Sequence, residues 1–189
     1  MNTHHLSDAH DLAKKDILKT LKAGLHEKVY AIPMFTDVPD EAQLAFYKHV
    51  TNADEIKTEK FEHAKRKEYF QNLTSEGFGI IFIDPDTGIK DSFKEGKKSR
   101  YVHYDEIALC ATDENLLVVY DESFDNGKDK AVAIRGKIEE FKKRDFFACY
   151  INFNRQLAFA LLSHSERRLE EAKRVLVDEK IILPSRLVY

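Results

Sequence analysis

Near the start of the chain the apolar residues Ala13, Ile17, Leu21 and Leu25 recur every four positions, and Leu18 widens the stripe. That spacing predicts a helix with one buried face, capped by Ser7 or Asp8 and ended near Gly24. Residues 29–34 follow at once as a β-branched and aromatic run, which predicts a first strand that Pro33 restricts near its end. Residues 40–73 are polar and helix-favouring, with Leu44, Tyr47, Phe61, Tyr69 and Phe70 as inward positions and Thr51-Asn52 as a break. Two helices are expected there.

Residues 79–83 form a continuous apolar run stopped by Asp84-Pro85-Asp86-Thr87-Gly88, the pattern of a central strand buried on both faces and ended by a turn. A short helix over 104–111 leads to a second such strand over 116–120, which runs into Asp121-Glu122. A charged helix over 130–143 precedes two apolar runs, 146–151 and 157–162, joined by a polar link that predicts an antiparallel hairpin. A last helix covers 166–177. The alternation predicts one α/β domain over residues 1–189, a reduced Rossmann-like, doubly wound and mostly parallel sheet with a C-terminal antiparallel hairpin. Ligands of such sheets bind beyond the carboxyl ends of the strands, which draws attention to Asp37, Asp84, Asp86 and Asp121.

Apolar residues make up 43% of the chain, enough for a sizeable core, and the 33% that are charged nearly cancel to a net −3. The whole molecule therefore carries no strong field towards nucleic acid, and any polyanion site must be a local patch. The one basic stretch beside the candidate site brings Lys97, Lys98 and Arg100 up to Tyr101, His103 and Tyr104. Positive charge with aromatic faces can neutralise phosphate and stack a base; the alternative is a half-buried edge segment with a solvated loop. Cys110 and Cys149 sit in apolar surroundings without metal or redox spacing and are expected to be buried, reduced thiols. No apolar stretch has signal-peptide or membrane-helix length, so a cytoplasmic protein without a membrane partner is expected. His4, His5 and His10 have only Asp8 or Asp11 near ligand spacing, and no metal site is expected there.

The turn after the second strand admits three readings. Asp, Pro and Gly are the ordinary residues of a tight turn. Asp84, Asp86 and Asp91 can instead hold a divalent metal such as Mg, as in a nuclease or phosphodiesterase that activates water. The third reading is a polar contact to a substrate or cofactor.

The stretches LSDAHDLAKKDIL and IIFIDPDTGI resemble a group of bacterial and phage proteins that open with a D-x-N-D-x-x-K-x-x-L-L helix and carry a F-x-D-P-D-x-G-I strand end. Both elements are also distantly similar to the class I S-adenosylmethionine-dependent methyltransferase that modifies adenine in large-subunit ribosomal RNA. Asp11, Lys14 and Leu18 match its helix, and Asp84-Pro85 matches its D-P-P-Y turn. The resemblance implies a methyltransferase-like domain acting on, or derived from proteins acting on, nucleic acid. It makes Asp84 the catalytic candidate, accepting a hydrogen bond from the amine to be methylated, and the metal reading of the turn adds Asp86 as the second catalytic candidate. The resemblance places Lys14, with His10 and Asp11 close by, at the cofactor; the strand-end rule adds Asp37 there, and charge with aromatic content makes Lys97, Lys98, Arg100, Tyr101 and His103 the substrate-binding candidates.

The chain departs from that pattern where a glycine-rich turn usually follows the first strand, because Pro33-Met34-Phe35-Thr36-Asp37 has no glycine. Weak or absent S-adenosylmethionine binding is the expectation. Two other classes stay open: the metal-dependent nuclease using Asp84 and Asp86, and a non-catalytic module that binds a nucleotide or a protein.

Overall fold

The computed structural model describes residues 9–71, 78–90, 100–124 and 129–189. Its centre is a seven-stranded sheet. Strands β1 (Val29–Pro33), β3 (Ile80–Asp84) and β6 (Leu116–Asp121) lie side by side and parallel, with the short β2 (Glu55–Ile56) parallel on the far side of β1. The hairpin of β7 (Phe147–Asn152) and β8 (Ala158–Ser163) closes the sheet, and the short β9 (Leu187–Val188) pairs with β7. The order is β2-β1-β3-β6-β8-β7-β9, and five of the seven strands run the same way. It is β8, the second strand of the hairpin, that pairs antiparallel with β6. A small second sheet pairs β4 (Gly88–Ile89) with β5 (Tyr101–Val102).

Helices cover both faces, as a sheet with continuous apolar strands requires. Ile80 and Phe82 of β3 pack into one core with α1 (Ala9–Leu25), α2 (Glu41–Thr51) and α6 (Glu166–Asp178). Ile81 and Ile83 pack into the other with α3 (Arg66–Gln71), α4 (Tyr104–Leu109) and α5 (Lys130–Lys142). All four side chains are fully buried. The result is a three-layer α/β/α domain of Rossmann-like type, and among the described residues no helix is long and apolar enough to cross a membrane. Cys110 and Cys149 are buried free thiols, and burial pushes the Cys149 thiol up to about 12.

Local chemistry explains most boundaries. A reciprocal capping box starts α2, with Gln43 N donating to Asp40 Oδ1 at 2.8 Å and Asp40 N to Gln43 Oε1 at 2.9 Å. Asn52 ends it in the left-handed conformation, φ 51°. The segment from Ala53 to Glu62, expected as helix, is instead irregular or extended, followed by a 3-10 turn at His63–Lys65: Asp54 N and Lys57 N donate to Val29 O and Ala31 O at 2.9 Å, so pairing with β1 overrides local helix propensity.

Gly24 also plays another part than a helix stop. The helix runs on to Leu25, and His26 takes the left-handed position at φ 56°. A side chain at Gly24 would collide with Val175 of α6, so its missing Cβ lets α1 and α6 approach closely. The expected caps Ser7 and Asp8, with His4 and His5, lie outside the described residues.

Gly136 stands in the interior of α5, exposed, with nothing within 4 Å of an added Cβ. Gly136→Ala is therefore expected to raise the unfolding free energy by about 0.5–1 kcal/mol through helix propensity alone. Urea denaturation measures it; an unchanged or lowered midpoint would show that this glycine serves a contact not visible here.

Candidate functional site at the sheet switch point

From β1 the chain proceeds outward to β2, whereas from β3 it proceeds the opposite way to β6. The topological switch point thus lies between β1 and β3, where open α/β sheets bind their ligands. Pro33 and Asp84, the last residues of the two strands, are register partners there. Asp84 shares a sheet face with Ile80 and Phe82, so its side chain points into the layer of α1 and α2.

That layer supplies its partners. Lys14 Nζ of α1 donates to Asp84 Oδ2 at 3.1 Å, and Tyr47 Oη of α2 donates to the same oxygen at 3.0 Å. Asp11, one turn before Lys14, lies 3.4 Å from its ammonium, which also stands 4.4 Å over the Tyr120 ring. Tyr120 belongs here through register. The Ile83–Val119 pair of β3 and β6 leaves Asp84 level with Tyr120, on the same face. His10 completes the group, its Nδ1 2.7 Å from Glu122 Oε1 and 3.1 Å from Tyr120 Oη.

Asp84 is 0% exposed, Tyr47 1%, Lys14 6% and Asp11 7%, so these charges interact without water between them. Burial holds the Asp84 carboxyl above the usual carboxylate range, against the pull of Lys14 and Tyr47. Burial would also lower Lys14, yet the Asp84 and Asp11 carboxylates outweigh it and its pKa is raised. Burial, followed by the Asp84 charge, drives the Tyr47 phenol well above its ordinary value. A lysine raised in the folded state contributes stability that is complete below the ordinary lysine range and lost only as pH rises through the raised value. Asp84 Oδ1 has no hydrogen-bond partner among the described residues.

The turn after β1 covers this group. Phe35, 1% exposed, meets the Tyr47 ring edge-on at 5.4 Å between centroids, while Met34, 0% exposed, packs into the opposite layer. Tyr69 Oη donates to Pro33 O at 2.5 Å and Met34 N to Asp84 O at 3.3 Å, fixing the backbone of that turn.

Of the residues expected at the site, His10, Asp11, Lys14 and Asp84 come together, while the other described ones go elsewhere. Asp86 is engaged by Arg100 at 2.6 Å, so two expected site residues neutralise each other at the surface. With Lys14 on Asp84 and Arg100 on Asp86, each carboxylate has its own cation. Asp37 is exposed in the bend before α2. Tyr101 and His103 are held by Arg66 and Glu106: Arg66 Nη2 donates to Tyr101 O at 2.7 Å and to Glu106 Oε2 at 2.6 Å, and His103 N donates to Glu106 Oε2 at 2.8 Å. Lys97, Lys98 and Asp91 lie outside the described residues.

Tyr47 and Tyr120 belong to the group and were not among the expected site residues, and Glu122, from the strand end that the sequence marks beside the site, joins them. Tyr47 was legible only as an inward position, because nothing local reveals where its hydroxyl goes. Strand alternation was the available signal for Tyr120.

Asp121, one residue past Tyr120, faces the opposite layer. It accepts from Lys137 Nζ at 2.7 Å, Tyr150 Oη at 3.1 Å, Ile89 N at 3.2 Å and Ser123 N at 3.0 Å. This clasp ties the Asp-Pro-Asp-Thr-Gly turn to β6, aided by Glu122 N donating to Thr87 O at 2.8 Å. Gly88 makes the approach possible. Its φ of +136° is strained for other residues, and a Cβ there would collide with Asp121 Oδ1 and come within 2.9 Å of Glu122 N.

Gly88→Ala is accordingly expected to destabilise the fold by about 2 kcal/mol or more, from backbone strain and a collision with groups that cannot swing away. Thermal and denaturant unfolding check this; a loss below about 0.5 kcal/mol would mean that the turn relaxes freely. No protein-family model matches the chain, and none of the curated proteins matches it, so its site is defined by geometry alone.

Proposed function

We propose that this chain is a methyltransferase-like domain derived from proteins acting on nucleic acid, in which its own side chains have closed the cofactor crevice and weakened or abolished S-adenosylmethionine binding. The observation that carries this reading is the enclosure of Asp84. The carboxylate stands at the switch point beside a helix bearing Asp11 and Lys14, as the resemblance requires, yet Lys14 and Tyr47 hold it, and Phe35 packs against the Tyr47 ring.

The closing hairpin, with β8 inserted antiparallel beside β6, supports the methyltransferase-like part of the reading. The turn after β1 supports the rest. A cofactor of this kind needs backbone to approach it closely, whereas Met34 and Phe35 place buried side chains there and Pro33 lacks an amide hydrogen. The carboxyl end of β2, where a nucleotide ribose is ordinarily held by an acid, carries the buried Lys57 instead. These residues do not fit S-adenosylmethionine, and no methyl-transfer step is assigned to them.

Titration calorimetry with S-adenosylmethionine tests the proposal. Binding no tighter than about 100 μM, a free energy of roughly −5.5 kcal/mol, is expected. A low micromolar dissociation constant would overturn the closed-crevice reading and make methyl transfer the leading account.

A further inference from the structure

We infer that Lys130, at the carboxyl edge of the sheet on the α5 face, is a nucleophilic amine that captures an aldehyde ligand as an imine. Phe124 and Lys130 follow the carboxyl end of β6, and the turn from Asn154 to Leu157 closes β7, which runs the same way as β6. Open α/β sheets bind their ligands at this edge. The groups that touch Lys130 lie outside the Asp84 group, and the inference does not depend on the methyltransferase reading.

The position disfavours an ammonium. Lys130 is the first residue of α5, where a cation meets the positive end of the helix dipole, and the carboxylate of the N-cap Asp129 is turned to Ala131 N at 2.8 Å and Val132 N at 3.4 Å. Lys130 and Lys137, two helical turns apart, stand over the same Phe124 ring at 4.5 and 5.0 Å, which brings a second cation close. The neighbouring carboxylates are engaged elsewhere, Asp121 by Lys137 and Glu122 by His10, each at 2.7 Å. Arg155, the charged residue of the hairpin turn, is exposed.

The hydrogen bonds of Lys130 among the described residues go to two neutral acceptors, Asn154 O at 2.6 Å and Leu157 O at 2.8 Å. Two carbonyls match the two N–H groups of a neutral amine, so loss of the third proton costs neither bond and frees a lone pair. Burial brings Lys130 down to about 8, the Asp121 and Glu122 charges offsetting only part and Lys137 adding to the fall. A lysine desolvated beside another cation is activated for carbonyl chemistry. The lone pair attacks the carbonyl carbon, and the C–O π pair moves to oxygen, which takes the proton released from nitrogen. With one further proton the carbinolamine loses water, and a C=N bond replaces the C=O bond. The iminium keeps one N–H for the hairpin carbonyls.

Propanal with cyanoborohydride, which reduces the imine to a stable alkylamine, tests the inference when each lysine of the full chain is followed by peptide mass spectrometry. At pH 8 about half of Lys130 is neutral, against less than about 1% of an ordinary lysine. Its alkylation is therefore expected to run about fivefold faster than the median of the other lysines. The rate should rise with pH about a midpoint near 8, and Lys130→Arg should remove the fast site and leave the other lysines unchanged. A Lys130 rate no higher than that median, a midpoint above about 9, or fast labelling that survives in Lys130→Arg would each overturn the assignment.

Discussion

The ion pair between Lys14 and Asp84 is the contact on which the candidate site depends. It joins the first helix to the end of the third strand across 70 residues of sequence, at a place where both charges are buried. Removing two such ions from water costs several kcal/mol each, so the pair persists only because further groups share the load. Tyr47 donates to the carboxylate, Asp11 adds a second negative charge to the ammonium, and the Tyr120 ring lies beneath it. Together they tie α1, α2, β3 and β6 at one point. The same arrangement occupies Asp84 Oδ2 twice and leaves Oδ1 buried without a partner among the described residues.

Sheet parity then gives the two buried strand-end carboxylates different tasks. Asp84 and Asp121 end adjacent parallel strands, but the register leaves them one residue out of step and on opposite faces. On the α1 face Asp84 keeps one oxygen without a partner among the described residues; on the α5 face Asp121 is saturated by an ammonium, a phenol and two backbone amides. Asp121 is thus an anchor for the turn that carries Asp84, with Gly88 as the spacer between them. A substrate-facing role for both acids in one mouth would require them to share a face, which the pleat forbids.

The long elements were legible because each carries its own period or run. The four-residue spacing of Ala13, Ile17, Leu21 and Leu25 and the unbroken Ile80-Ile81-Phe82-Ile83 each suffice to define a helix and a buried strand. The expected helix residues His10, Asp11 and Lys14 do meet Asp84, since residues three or four apart share one helix face. Strands of two residues such as β2, β4, β5 and β9 carry no period, and only their pairing partners make them strands. Arg100 read as part of a basic patch because Asp86 lies 14 positions away, beyond any local pattern that could match them. Asp121 draws attention alongside Asp84 because both end apolar strands, and the register that turns them to opposite faces is not written in either run.

A double-mutant cycle on Lys14 and Asp84, followed by urea unfolding at neutral pH, tests the central claim most directly. Lys14→Met leaves the carboxylate buried without its cation and is expected to cost about 3–5 kcal/mol. Adding Asp84→Asn to it removes that uncompensated charge, so the double variant should be more stable than Lys14→Met alone, with a coupling energy of roughly 2 kcal/mol or more. Losses that simply add, with coupling within about 0.5 kcal/mol of zero, would contradict the claim that this pair closes the switch point.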